Sequence, residues 1–478
     1  MRSRLFSALF SLVFLAFSAG CGREREPLHP RHVFLITVDT LRADHLGTYG
    51  YGRDTSPYLD RLAKQSVLFE RAIVQWPKTG PSFASMFTGQ YPHTTGLTHK
   101  SAIRIPEGFL TLPELLKDRR FTTLGVNSNG VLSDDLGWNR GFDEYLETVS
   151  FFSFTEGDQA SYRASMNARR VNELAFPLLE KHKKADRLFA WIHYSDPHTP
   201  YILPPDVANP FLGDRLFVGD QPVLLEQPQA TEIDGRQDLK FYVAQYDANV
   251  LVVDRAIEQL MGQLDRLGLL ADSVVVVTAD HGESLGEHDY YLEHGRLPYN
   301  TTSHVPLFVY EPYRQGAGRR IAEPVELVGL YPTLRDLVAP GLEVAGLEGK
   351  SWLPFLRGDD RALARAGEVF RHAFSAAGGG NPLTHFRSVQ EKEWKLVFHP
   401  PLPTRQGERP TRWELYRLSR DPLETEDLIA TDRGEADRLR PLLETWMNGR
   451  LWIYPPKGLA VQRSQEVEKA LRALGYVE

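Results

Sequence analysis

Asp280 and His281 stand side by side, with two residues between this pair and four consecutive valines, Val274 to Val277. A carboxylate oxygen and an imidazole nitrogen so placed can ligate one borderline divalent metal ion. The same kind of chemistry recurs elsewhere in the chain. Asp39 follows the apolar run His32–Val38, and Asp196 and His198 follow Leu188–Tyr194. Thr79 lies two residues before Pro81, and a hydroxyl held against a metal can be activated as a nucleophile. Taken singly, a carboxylate or threonine of this kind more often caps a turn or a helix. Several of them converging on strand ends point to a metal-dependent hydrolase.

The elements that must position these residues follow from periodicity. Short β-branched apolar runs predict strands buried in a parallel sheet, here His32–Val38, Phe121–Val126, Leu188–Tyr194, Val274–Val277 and Val305–Tyr310. Thr55-Ser56-Pro57 opens a helix to about Lys64. Pro81 suits the first turn of a second helix, which Gly89 ends. Thr79 is therefore expected just before a helix N-terminus, where the dipole and free N–H groups favour an anion. Leu239–Gly268 carries one apolar face, at Val250, Val253, Ile257, Leu260, Leu264 and Leu267, and reads as a packing helix. Strands alternating with helices, with polar residues at the strand ends, predict a doubly wound, mostly parallel α/β fold with its site at the carboxyl edge of the sheet. Beyond Ala362 the texture changes to short strands and turns, with a final helix near Glu435–Trp446.

The 478 residues suffice for one large domain and a small one. The expected division is 1–20 as export signal, 21–31 as tether, 32–362 as catalytic domain, 363–455 as a small α+β subdomain and 456–478 as tail. A net charge of −7 argues against nucleic acid or an anionic membrane surface as partner. Arg2 and Arg4 precede the apolar run Leu5–Phe17, a signal-peptide pattern too short to span a bilayer. Ser18-Ala19-Gly20-Cys21 is similar to a bacterial lipoprotein cleavage site, although Ser18 stands where leucine is usual. An exported protein anchored to a membrane only through lipid on Cys21 is the expectation. Cys21 is the sole cysteine, which leaves no disulfide and no cysteine nucleophile in the chain.

Five stretches together carry a family resemblance: Ile36–Tyr51, Thr79–Gly89 with Tyr91-Pro92-His93 after it, Gly141–Tyr145, His193–Tyr201 and Thr278–His288. Standing in this order, they resemble the sulfatases of the alkaline phosphatase superfamily. The likeness runs from about His32 to Gly358 and continues into Trp394-Lys395-Leu396 and Glu414-Leu415-Tyr416, which look like that family's small C-terminal antiparallel sheet. It implies that Asp39, Asp280 and His281 hold a metal. It also places Thr79 at the position of a cysteine or serine that is oxidised to formylglycine. His198 matches a histidine on the transferring group or leaving oxygen, and His294 falls where sulfatases place a lysine or histidine on that group.

The chain departs from the pattern in three places. Thr79 is not a known precursor of formylglycine, Phe83 replaces the arginine that ends the family signature, and Thr40 replaces a second aspartate often found beside Asp39. The set that remains, Asp39, Thr79, Asp280 and His281, is similar to the one-metal threonine sites of phosphoethanolamine transferases and nucleotide pyrophosphatase/phosphodiesterases. One divalent ion is therefore implied, with zinc or manganese favoured over calcium. The expected substrate is a small-molecule, glycan or lipid ester. A transferase acting on a glycan or lipid, and an inactive surface-anchored binding protein, are the alternatives.

Overall fold

The computed structural model describes residues 30–98, 104–150, 167–213, 233, 235–311, 316–358, 360–378, 382–404 and 407–448. The export segment, Cys21, the first part of the tether and the tail lie outside these residues. Among the described residues, no helix is long and apolar enough to cross a membrane.

All seven residues of His32–Val38 are buried, as are all seven of Leu188–Tyr194 and of Ser273–Ala279. Uninterrupted apolar runs of this kind need cover on both faces, and these three strands form the middle of the main sheet. Its eight strands run in the order Arg320–Ile321, Val67–Phe69, Leu307–Tyr310, Ser273–Ala279, His32–Val38, Leu188–Tyr194, Thr122–Asn127 and Glu144–Glu147. Leu307–Tyr310 runs against its neighbours and the other pairings are parallel. Helices flank this sheet. Pro57–Ala63 and Ala168–His182 pack on the long helix Leu239–Arg266, while Leu112–Asp118 and Leu330–Val338 pack on Thr79–Thr88.

Register fixes where the chemistry emerges. Val38 lies opposite Tyr194 on one side and Ala279 on the other. The next residue of each strand, Asp39, Ser195 and Asp280, therefore leaves the sheet at one level of its carboxyl edge, where open α/β sheets bind ligands. Two departures from expectation have plain causes. The expected strand Val305–Tyr310 divides at Pro306, which has no N–H to give to a ladder, so His304–Val305 joins a separate small sheet. The helix expected to start after Thr79 includes it, running Thr79–Thr88 with Lys78 as N-cap and Gly89 left-handed at φ 67°. In the region expected to hold short strands and turns, Phe386–Gln390 and Trp394–His399 form a hairpin.

The small C-terminal sheet is antiparallel, in the order Ala373–Ala377, Phe386–Gln390, Trp394–His399 and Arg412–Arg417. Helix Arg433–Asn448 closes its apolar face through Leu439, Leu443 and Trp446. Trp76 and Val328 enter the same cluster from the main domain. Because the Ala376 N–H donates to Gln75 O at 3.0 Å, this sheet braces the segment that leads into Thr79.

Candidate active site

The first turn of helix Thr79–Thr88 is tied to the Asp280 loop. Ser82, one turn beyond Thr79, donates its hydroxyl to the Asp280 carbonyl at 2.6 Å. Thr79 consequently faces His281, with Oγ1 3.3 Å from Nε2. His281 Nδ1 lies 2.9 Å from Gly282 O, and since a carbonyl only accepts, Nδ1 carries the proton. Nε2 thereby presents its lone pair to the site.

Two carboxylates converge on that nitrogen. Asp39 Oδ1 lies 3.6 Å from it and Asp280 Oδ2 3.5 Å. These two oxygens are buried and accept no hydrogen bond. Each carboxylate's other oxygen is engaged: Asn129 Nδ2 donates to Asp39 Oδ2 at 2.6 Å, and the His281 N–H donates to Asp280 Oδ1 at 2.9 Å. Burial pushes Asp39 up to about 6, and burial with the charge of Asp39 pushes Asp280 upward as well. Burial also drives His281 well below the usual imidazole value, so it is neutral. Two partnerless buried oxygens aimed at one bare imidazole nitrogen fit a cation better than they fit a folded core. Among the described residues, Asp39, Asp280 and His281 are the set whose ligand atoms all lie within 4.8 Å of one another. Two oxygens and a nitrogen, with the Thr79 hydroxyl beside them, suit a borderline divalent ion.

Two further imidazoles stand over this set. The rings of His281 and His294 are 4.2 Å apart between centroids, and those of His294 and His198 are 5.3 Å apart. His198 donates from Nδ1 to Thr199 O at 2.6 Å. Burial alone would lower its pKa, but the charges of Asp39 and Glu283 outweigh this and raise it. Asp196 accepts the Ala168 N–H at 2.6 Å, at the start of the helix Ala168–His182 that Asn167 caps. Burial pushes Asp196 up to about 7.

Sequence reasoning missed several contributors. Glu283 is fully buried and accepts from His294 Nδ1 at 2.9 Å. Of its neighbours, Glu287 pairs with Arg42 at 2.8 Å and His288 stacks on Tyr299. Asn129 orients Asp39, and His193 lies behind it with Nε2 3.8 Å from Asp39 Oδ2. Lys78, next to Thr79, raises the local positive potential at His281. None of these had a readable signal, because each depends on which loops meet at the sheet edge.

Comparison with known proteins agrees with this architecture. The sulfatase family model matches residues 31–340, and that of the N-sulphoglucosamine sulphohydrolase C-terminal region matches residues 286–446. Human iduronate 2-sulfatase is 28% identical over 391 residues, covering 66% of this chain and 69% of its own. An ulvan-active sulfatase of Formosa agariphila is 25% identical over 447 residues, covering 90% and 82%. Among solved structures, a 2-O GAG sulfatase superposes with a TM-score of 0.67 at 20% identity, covering 88% of this chain and 92% of that one. The phosphonate monoester hydrolase of Agrobacterium radiobacter does so with a TM-score of 0.66 at 19% identity, covering 88% and 96%. The family match takes in more than half of the sequence, including every strand of the main sheet, and the chain therefore belongs to the sulfatase family of ester hydrolases.

Proposed function

We propose that this protein hydrolyses phosphoryl or phosphonyl esters with the help of one divalent metal ion, and that Thr79 attacks to form a covalent intermediate. The observation that carries this reading is the 3.3 Å approach of Thr79 Oγ1 to His281 Nε2, beside the two partnerless oxygens of Asp39 and Asp280. Asp39, Asp280, His281 and Thr79 would hold the ion. Bound there, it would lower the pKa of the Thr79 hydroxyl and neutralise the paired carboxylates. His281 as a ligand favours zinc or manganese over calcium.

The rest of the chemistry falls to the chain. Ser82 fixes the helix so that Thr79 presents Oγ1 in line with the ester bond. The N–H groups at the start of that helix and the nearby Lys78 charge stabilise equatorial oxygens. His198, whose pKa neighbouring carboxylates raise against the effect of burial, binds one of those oxygens. A histidine passes a proton to the leaving oxygen, and water then releases the group from Thr79. A threonine ester has no hemiacetal route by which to expel sulfate, which favours phosphorus over sulfur esters. The phosphonate monoester hydrolase fold neighbour is consistent with that choice, while relatives named for uronate and ulvan sulfates keep a glycan carrier in view. We place the enzyme in the cell envelope, held by lipid on Cys21, with residues 363–455 as a bracing subdomain.

The test is a rate assay on the chain from Gly22 onward, loaded in turn with zinc, manganese and calcium. Aryl sulfate, aryl phosphate, aryl phosphonate and a phosphodiester are offered in parallel. Turnover of a phosphorus ester that needs zinc or manganese, and is lost in Thr79→Ala with metal content unchanged, is the expected result. Preferential turnover of the sulfate overturns the phosphorus reading.

A further inference from the structure

An open cleft of about 310 Å³ lies beside His198, between the loop that follows strand Leu188–Tyr194 and the helix Leu239–Arg266. His198 belongs to both places: its ring lines the cleft and also stands 5.3 Å from that of His294 in the imidazole cluster. The loop is pinned to the helix, since Gln245 Nε2 donates to Tyr201 O at 3.2 Å, one helical turn before Asn249. Asn249 is 1% exposed and donates Nδ2 to Gln245 O at 2.8 Å. Among the described residues its Oδ1, which faces the cleft, accepts nothing. Asp196 receives the Ala168 N–H on Oδ2, and among the described residues its Oδ1 accepts nothing either. We propose that this cleft binds the alcohol half of the ester, and that it takes a single neutral ring bearing hydroxyls, such as an uncharged sugar, whose O–H groups donate to Asn249 and Asp196. The proposal rests on the hydrolase reading above and names its carrier.

Acceptors held in a lined cleft without partners fit a ligand that donates. Among the described residues, no lysine or arginine lines the cleft. A carboxylate or sulfate on the carrier would meet the Asp196 carboxylate and the Asn249 carbonyl with no cation to pair it, so anionic carriers are rejected. Thr199 adds a hydroxyl that can donate or accept. Pro200 and Ile202, the latter 42% exposed, give an apolar rim for the C–H face of a ring. A small ammonium would satisfy the two acceptors but leave that rim and most of the volume unused. The volume is at the small end of ligand sites, with room for one ring and not for a chain of them. A phosphorus centre held through an oxygen on His198 lets its alcohol pass along that ring into the cleft.

The experiment uses metal-loaded enzyme at pH 8, above the value of about 7 to which burial raises Asp196. It offers esters of the phosphorus acid whose aryl ester turns over fastest. The alcohols are methyl glucoside and methyl glucuronide, each esterified at the same ring position, cyclohexanol and aminoethanol. The glucoside ester is expected to lead the other three in kcat/KM by about tenfold or more, with the gain in KM. Asn249→Leu should cut its lead over the cyclohexyl ester about tenfold, and Asp196→Asn should narrow its lead over the glucuronide ester. Ile202→Trp, at an exposed position on the rim, fills the cleft and should erase the lead over the cyclohexyl ester, which decides the matter if the buried variants do not fold. A glucoside ester no better than the cyclohexyl ester, a lead for the glucuronide or aminoethyl ester, or unchanged ratios in the variants overturn the proposal and leave the hydrolase reading standing. If no phosphorus ester turns over, the hydrolase reading falls, and saturation-transfer NMR with methyl glucoside decides the cleft by itself. Transfer that Ile202→Trp abolishes supports a sugar site, and no transfer in wild type overturns it.

Discussion

The ring of Phe83 meets that of His193 nearly perpendicular, with centroids 5.0 Å apart, and Trp191 closes the same pocket at 5.1 Å from Phe83. Aromatic carbon thus fills the space at the position where the family pattern carries an arginine. His193 reaches past this packing towards Asp39. Trp191 Nε1 donates to Thr37 Oγ1 at 2.9 Å, His193 Nδ1 lies 3.0 Å from the same oxygen, and His193 Nε2 lies 3.8 Å from Asp39 Oδ2. Burial holds His193 neutral by lowering its pKa to about 3. His193→Phe should keep the aromatic packing and weaken metal binding by about tenfold or more, as losses behind a ligand usually do. Competition with a chelator of known affinity measures this, and an unchanged metal affinity would show that His193 only packs.

Gly282 separates His281 from Glu283 for a steric reason. A Cβ added there would lie 2.2 Å from the Thr301 carbonyl oxygen, a backbone atom that cannot swing aside. Gly282→Ala should therefore displace the loop, lowering both the melting temperature and the metal bound per chain. Full metal occupancy with an unaltered melting temperature would contradict this.

Lys395 and Glu424 form an ion pair at 2.6 Å with both side chains essentially buried. Glu424 also accepts the Asn300 N–H at 2.6 Å, and Lys395 donates to Asn300 Oδ1 at 3.0 Å, so the pair fastens the C-terminal sheet to the turn that abuts Gly282. Lys395→Met strands the Glu424 charge and should cost about 3–5 kcal/mol in denaturant unfolding. The double variant Lys395→Met/Glu424→Gln should recover part of that loss. No recovery would mean that the stranded charge is not the cause.

Glu147 is half-buried near Asp134, and burial together with the Asp134 charge pushes its carboxyl up to about 7. Between its ordinary value of 4.5 and about 7, the folded chain keeps a proton that the unfolded chain has released. Raising the pH through this window therefore destabilises the fold. Glu147→Gln should gain stability relative to wild type at pH 8 and show little gain at pH 5. Parallel unfolding curves at the two pH values would read this, and a gain that does not grow with pH would contradict it.

The central strands were legible because His32–Val38 and Leu188–Tyr194 are continuous apolar runs, whose burial follows from composition alone. Their register then brings Asp39 beside Asp280 and His281, so that part of the site could be anticipated from strand ends. His193 could not, because inside an apolar strand a histidine reads as filler until Phe83 and Thr37 are seen against it. The partner of Glu283 was not legible either, because His294 lies 11 residues away across a hairpin. Ala373–Ala377 escaped notice because three of its five residues are alanines, which carry no strand preference.

The most direct test of the account is mass spectrometry on metal-loaded enzyme quenched in acid during turnover of a phosphorus ester. The expected result is one phosphoryl or phosphonyl group on Thr79, present in wild type and in His294→Gln and missing from Thr79→Ala. Steady turnover with Thr79 unmodified throughout, or with the group on another side chain, would contradict the covalent threonine mechanism.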